Sequence, residues 1–113
     1  INIVKSQIET RNENNYDINF GGVQMKISAN IDLKDSVSIA IRPETIEIIK
    51  EKTNNCMKAE MINTSYVGSS YQYVVSSSVG ELFIVSNETT NHFKLNEEVF
   101  MTFDESRVTI LED

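Results

Sequence analysis

Apolar residues fall on alternate positions along most of this chain, the period of a strand with one buried face. Tyr16-Asp-Ile-Asn-Phe20 alternates, Gly21-Gly22 interrupts, and Val23-Gln-Met-Lys-Ile27 alternates again. Two adjacent glycines tolerate the positive φ that tight hairpin turns demand, so these residues predict a β-hairpin. Residues 1–9 alternate less cleanly, with apolar side chains at 1, 3, 4 and 8, and read as a strand. The polar run 11–15 reads as a loop. Val37-Ser-Ile-Ala-Ile41 alternates strictly and stops at Arg42-Pro43-Glu44. Proline there lacks the N–H a ladder needs, so the strand must end or bulge. Ile46-Glu-Ile48 resumes the alternation, and the polar run 50–55 marks a boundary. Beyond it, residues 56–66, 71–75, 82–85, 99–103 and 108–111 read as strands. Residues 89–95 have room for one helical turn, and no long helix is predicted.

The chain also repeats itself. Residues 33–49 (LKDSVSIAIRPETIEII) lie over residues 95–111 (LNEEVFMTFDESRVTIL) without a gap. Leu33, Val37, Ile39 and Ile41 meet Leu95, Val99, Met101 and Phe103; after the turn, Ile46, Ile48 and Ile49 meet Val108, Ile110 and Leu111. Gly22 before one strand has its counterpart in Gly80. We therefore divide the chain into a first half, 1–52, and a second half, 53–113. Each half predicts five strands in roughly 50 residues, the size of a small Greek-key barrel of the OB type. A unit that short is near the lower limit for folding alone, so the halves are expected to bury area against each other. The alternation is the same whether a strand stays in its own half or crosses to the other, and the pattern leaves that open.

Composition agrees with an all-β fold. Ile, Val and Thr supply 32 of the 113 residues and Ala three; branching at Cβ restricts χ1 and suits a pleated surface. Twelve Asn and twelve Ser fit many turns. The net charge of −7 gives no overall pull on phosphate backbones, so no nucleic-acid partner is expected. An OB-type domain gripping single strands would need a positive groove with stacking aromatics, and only the aromatics are here. One cysteine, Cys56, excludes an internal disulfide, and with the single His92 it cannot fill a zinc site. His92 has no partner pattern for catalysis and Cys56 reads as a buried, inert thiol. No nucleophile-elbow pattern (Gly-x-Ser-x-Gly) and no phosphate loop (Gly-x-x-x-x-Gly-Lys-Ser/Thr) occurs, so the residues predict neither catalysis nor an ATP cradle of their own. The chain opens on Ile1, inside strand-like sequence, which reads as a piece of a longer protein.

Ile39-Ala-Ile-Arg-Pro-Glu-Thr-Ile-Glu-Ile48 resembles the hydrophobic-Arg-Pro-Glu signature of TOBE domains, the C-terminal domains of the ATP-binding subunits of ABC importers. The surroundings fit the resemblance. Ile1-Asn-Ile3 looks like their opening strand, and residues 60–74 look like their second-half pattern of a strand reaching Tyr-x-Gly (Tyr66, Gly68) and then an aromatic strand from Tyr71. Residues 80–85 and 108–112 agree as well. The resemblance implies a duplicated OB-like regulatory domain, not itself an enzyme, lying in the cytoplasm at the inner face of the membrane. Its implied partners are its own nucleotide-binding domain, a homodimer partner and, through the parent chain, the permease subunits. ATP and magnesium would belong to that nucleotide-binding domain, with no cofactor or metal in these residues. Spacing looks most similar to the spermidine/putrescine importers, with iron, sulfate and sugar importers as competitors. The Ser-Ala-Arg-Asn motif of oxyanion-binding relatives is missing, which weighs against a molybdate-type site.

Arg42, Pro43 and Glu44 are the sharpest candidates. Their guanidinium and carboxylate either contact the ATPase domain or a dimer partner, or only fix the turn. Asp104 stands at the repeat position of Arg42, so an Arg42–Asp104 pair across a pseudo-symmetric interface is one expectation. Tyr66, Gly68 and Tyr71 offer a surface on which a cationic amine would sit, with Glu60 or Glu81 near by; ordinary exposed tyrosines are the plainer reading. Glu97-Glu98 and Asp104-Glu105 read as a solvated acidic edge.

Overall fold

The computed structural model describes residues 1–29, 35–87 and 93–111, and these are all strand, turn and short 3-10 helix. The strands are β1 (Asn2–Asn12), β2 (Asn15–Phe20), β3 (Val23–Ser28), β4 (Ser36–Ile41), β5 (Ile46–Ile49), β6 (Met57–Val67), β7 (Ser70–Ser77), β8 (Gly80–Ser86), β9 (Glu98–Phe103) and β10 (Val108–Leu111). Single 3-10 turns occupy Pro43–Thr45 and Glu105–Arg107. The repeat is visible in these bounds, since β4, the first 3-10 turn and β5 map onto β9, the second turn and β10. Leu33, His92 and part of the turn expected over 89–95 lie outside the described residues.

Two five-stranded antiparallel sheets form, in the orders β10-β4-β1-β2-β3 and β5-β9-β6-β7-β8. Each half thus keeps four strands and lends its fifth to the other. Ile46 pairs with Phe103 and Ile49 with Phe100, while Val108 pairs with Ile41 and Leu111 with Ser38. A four-residue link is short enough to close a hairpin. Here Arg42 stays extended (φ −74°, ψ 137°) and Pro43 starts a 3-10 turn, so the chain is carried onward rather than back along β4. The division at residue 52 follows the sequence repeat; the sheets follow another, 1–41 with 108–111 against 46–103. The turn Pro43–Thr45 packs on β8 and the turn Glu105–Arg107 on β3, so each sheet curls toward its far edge as an OB-like barrel does.

One contiguous core runs through both barrels. Ile18, Ile39, Met61, Val75, Ile84, Val99 and Met101 are fully enclosed. At the seam the rings of Phe20 and Phe103 meet edge to face at 5.2 Å. The β2–β3 turn also docks there: Gly21 holds φ +57°, and a Cβ on it would lie 2.7 Å from Met57 Cε and 2.7 Å from Ser78 Oγ.

One expectation needs correction. Residues 11–15 are not a loop, because β1 and β2 continue until only Glu13 and Asn14 separate them, with Glu13 in the left-handed region (φ 57°). The phase of β1 follows Val4 and Ile8 rather than Ile1 and Ile3. Asn2, Val4 and Ser6 point inward, while Ile1 and Ile3 are exposed. Ser6 is fully enclosed and its hydroxyl has no hydrogen-bond partner among the described residues. A buried hydroxyl without a partner costs free energy, so Ser6→Ala is expected to leave stability unchanged or raise it by up to about 1 kcal/mol. Urea unfolding measures this, and a clear loss of stability would mean that the hydroxyl is bonded.

Candidate functional site

The Arg-Pro-Glu signature is first of all the link that carries β5 across. Pro43 sits at the first helical position, where its missing N–H costs nothing. The Arg42 carbonyl accepts from Thr45 N at 3.0 Å and from Thr45 Oγ1 at 2.8 Å, which closes the turn. Arg42 and Glu44 themselves are exposed. At the repeat position, Asp104 does the work differently. Its Oδ1 accepts from Ser106 Oγ at 2.6 Å and from Ser106 N at 3.0 Å, capping the second turn. The Ser106 hydroxyl first, and then the Ser106 N–H, hold the Asp104 carboxyl below the usual carboxylate value. The expected Arg42–Asp104 pair does not form among the described residues; Asp104 Oδ1 caps its own turn instead. Nor is the acidic edge merely solvated. Glu105 Oε2 accepts from Lys26 N on β3 at 3.2 Å, and Glu97 Oε1 accepts from Lys94 N at 2.9 Å. Glu98 lies 3.2 Å from Lys58.

The two turns come together on one groove of about 840 Å³. Glu44 and Thr45 line it from the first turn, Asp104 and Arg107 from the second, together with Lys50, Tyr73 and Phe93. Phe93 meets Tyr73 edge to face at 5.6 Å, and Lys50 Nζ stands 5.5 Å over the Phe93 ring. The groove thus brings Glu44 and Asp104 to one place and leaves Arg42, Tyr66, Gly68 and Tyr71 off it.

The tyrosines form a row on the β6–β7 hairpin. Tyr66 and Tyr71 rings are 4.8 Å apart, and Tyr71 stacks on Tyr73 at 5.9 Å. Gly68 makes the hairpin turn at φ +65°. Glu60 and Glu81 are not near Tyr66 and Tyr71. Register pairs Glu60 and Glu81 with Ser76, but Tyr66 with Tyr71 and Tyr71 with Ser86, so the carboxylates sit at the other end of the hairpin. Burial, and secondarily Tyr71, raise the Tyr73 hydroxyl above the ordinary tyrosine value. An unfolded tyrosine ionises near pH 10, so the folded state is fully favoured below that and loses ground as pH rises through the Tyr73 value. Melting temperatures above about pH 9 should fall more steeply in the native protein than in Tyr73→Phe. Equal slopes would show that this hydroxyl ionises freely in the fold.

Several bonds that hold the site together had no counterpart in the sequence reading. The Asn2 side chain donates to Phe83 O at 2.8 Å and accepts from Phe83 N at 2.8 Å, pinning β1 to the outer edge of β8. The Asn55 side chain does the same to Gln24 of β3, accepting at 2.8 Å and donating at 2.9 Å. A polar Asn2 at the inward phase beside Val4 was the available signal. Cys56 is half-buried, not enclosed, and its thiol donates to Thr53 O at 3.1 Å. Among the described residues no three His, Cys, Asp or Glu gather as a metal site requires.

A family profile described as the TOBE domain matches residues 39–111, from β4 through both strand crossings to the end of β10. The chain belongs to the TOBE domain family. The TOBE domain is 21% identical over 111 residues to the Fe(3+) ions import ATP-binding protein FbpC of Agrobacterium fabrum. That alignment takes in 98% of this chain and 31% of the relative, so the chain spans about a third of the length of that protein. Among solved structures it is similar to the cytoplasmic molybdate-binding protein ModG in its molybdate-bound form, with a TM-score of 0.76 at 11% identity over 96% of this chain and 94% of that one. That likeness is one of fold. The paired five-stranded OB-like sheets match the all-β expectation.

Proposed function

We propose that this TOBE domain is the C-terminal regulatory and dimer-stabilising domain of the ATP-binding subunit of an ABC importer. One observation carries the reading: nearly all of this chain aligns with a minor part of an importer's ATP-binding protein, and it does so outside any phosphate-loop sequence. Its partners on this reading are its own nucleotide-binding domain, a second copy of the subunit and the permease, at the cytoplasmic face of the membrane, with no nucleic acid among them. The residues here do not fit ATP, since no Gly-x-x-x-x-Gly-Lys-Ser/Thr loop exists to cradle it. ATP and magnesium therefore belong to the nucleotide-binding domain. The fold supports a mechanical role: barrels joined by two crossing strands and one core would make a stiff body to hold two subunits in register while the catalytic domains open and close. An inhibitory signal received here would act through the same body.

The spermidine/putrescine type stands on motif spacing alone, whereas the importer relative is named for the import of Fe(3+) ions. The test is the coding sequence upstream of Ile1. A phosphate loop and an ABC signature there are the expected result, and a start codon with neither motif would overturn the importer reading.

A further inference from the structure

We propose that the edge of β6 at residues 62–67, which no strand among the described residues covers, pairs antiparallel with the same edge of a second copy of this chain. The proposal rests on the dimer-holding role given above and assigns it a surface. β9 pairs with β6 only from Met57 to Glu60, and the loop bonds between Met61 and Asn96–Glu97 extend the pairing by one residue. Past Met61, no strand among the described residues covers that side of β6, while β7 holds the other side as far as Val67. Roughly every second residue of such a stretch turns its N–H and C=O outward, ready to pair.

The first half supplies the control. The corresponding stretch of β1 carries Glu9 and Arg11, and Arg11 is ion-paired to Asp35 at 3.1 Å. Charges of that kind are how proteins keep an open edge from pairing. The β6–β7 hairpin has none beyond Glu60: from Met61 to Gly80 no residue is charged, in a chain where 24% are. Instead Tyr66 and Val67 stand 59% and 54% exposed. The occupant follows from charge and symmetry. Two copies at −7 each repel, and an uncharged strip is where they can approach. One strand edge laid antiparallel on its own copy is related to it by a two-fold axis, so both copies make the same contacts and the contact closes at two.

Sedimentation equilibrium of the 113-residue chain tests this, with Ser65→Glu as the variant. Ser65 is exposed and mid-edge, so the substitution leaves the fold intact while placing like charges close together across the axis. The native chain should dimerise, its dissociation constant should rise at least about tenfold in Ser65→Glu, and amides 62–67 should exchange more slowly as concentration rises. Circular dichroism should be unchanged in the variant, and melting should match the native chain when both are diluted to monomer. A native dimer indifferent to Ser65→Glu would overturn this edge and leave the dimer-holding role standing. A native chain that stays monomeric would overturn both. A monomer that binds neutral phosphatidylcholine vesicles through Tyr66 and Val67 would mean that the strip meets lipid instead.

Discussion

Gly21→Ala is expected to destabilise the domain by about 2–5 kcal/mol. Gly21 holds φ +57°, where an L-residue pays roughly 1–2 kcal/mol for its Cβ. The new methyl would also sit 2.7 Å from Met57 Cε, 2.7 Å from Ser78 Oγ and 3.0 Å from Val79 Cγ1. Ser78 can rotate away, but Met57 is 2% exposed and must repack inside the seam, at a cost of about 1–3 kcal/mol. Gly22→Ala separates the two costs. Gly22 is also left-handed, at φ +91°, yet a Cβ there meets nothing within 4 Å. Gly22→Ala should therefore show the backbone cost alone, and Gly21→Ala clearly more. Urea unfolding of both variants checks the order; equal losses would mean that the seam accommodates the methyl and that the turn does not lock the barrels together.

Asn2→Ala is expected to cost about 2–3 kcal/mol and to loosen β1 from β8. The Asn2 amide is 7% exposed and forms two 2.8 Å bonds with the backbone of Phe83, with a longer 3.4 Å bond to Ile41 O. It behaves as one residue of an extra strand laid on the outer edge of β8. Truncation leaves the Phe83 N–H and C=O without protein partners in a half-enclosed place, and the unmade bonds carry most of the cost. Asn2→Asp keeps the acceptor for Phe83 N but sets a carboxylate oxygen against Phe83 O, so it should be at least as damaging. Hydrogen exchange locates the effect: the Phe83 amide should lose protection well before Ile84 and Leu82, which point into the core. Uniform loss across β8 would mean that Asn2 acts on global stability rather than as a local strap.

Much of this fold is legible in the sequence because side-chain alternation is a local property. Val23, Met25 and Ile27 are buried and Gln24, Lys26 and Ser28 exposed, as their pattern requires. The repeat of 33–49 in 95–111 likewise gave matching strands, turns and strands. The Arg-Pro-Glu signature was recognisable, but what its residues do was less so. Pro43 and the Arg42 carbonyl build the crossing link, while the charged ends of Arg42 and Glu44 stay in solvent.

Where a strand finds its partner is a different kind of fact. Ile46, Ile48 and Ile49 present the same apolar positions to β4 of their own half or to β9 of the other. Only the extended Arg42 and the 3-10 turn after it send β5 across. The inward phase of β1 was hidden for a related reason. Ile1 and Ile3 look like core residues, but the bonds of Asn2 to β8 and the pairing of β1 with β4 hold that strand with its apolar ends outward. The sequence by itself determined the all-β character, the strand positions and the duplication, because these depend on residues close along the chain. Strand exchange, the joined core and the groove between the two turns were decided by tertiary structure, because each depends on contacts between residues tens of positions apart that leave no local period to read.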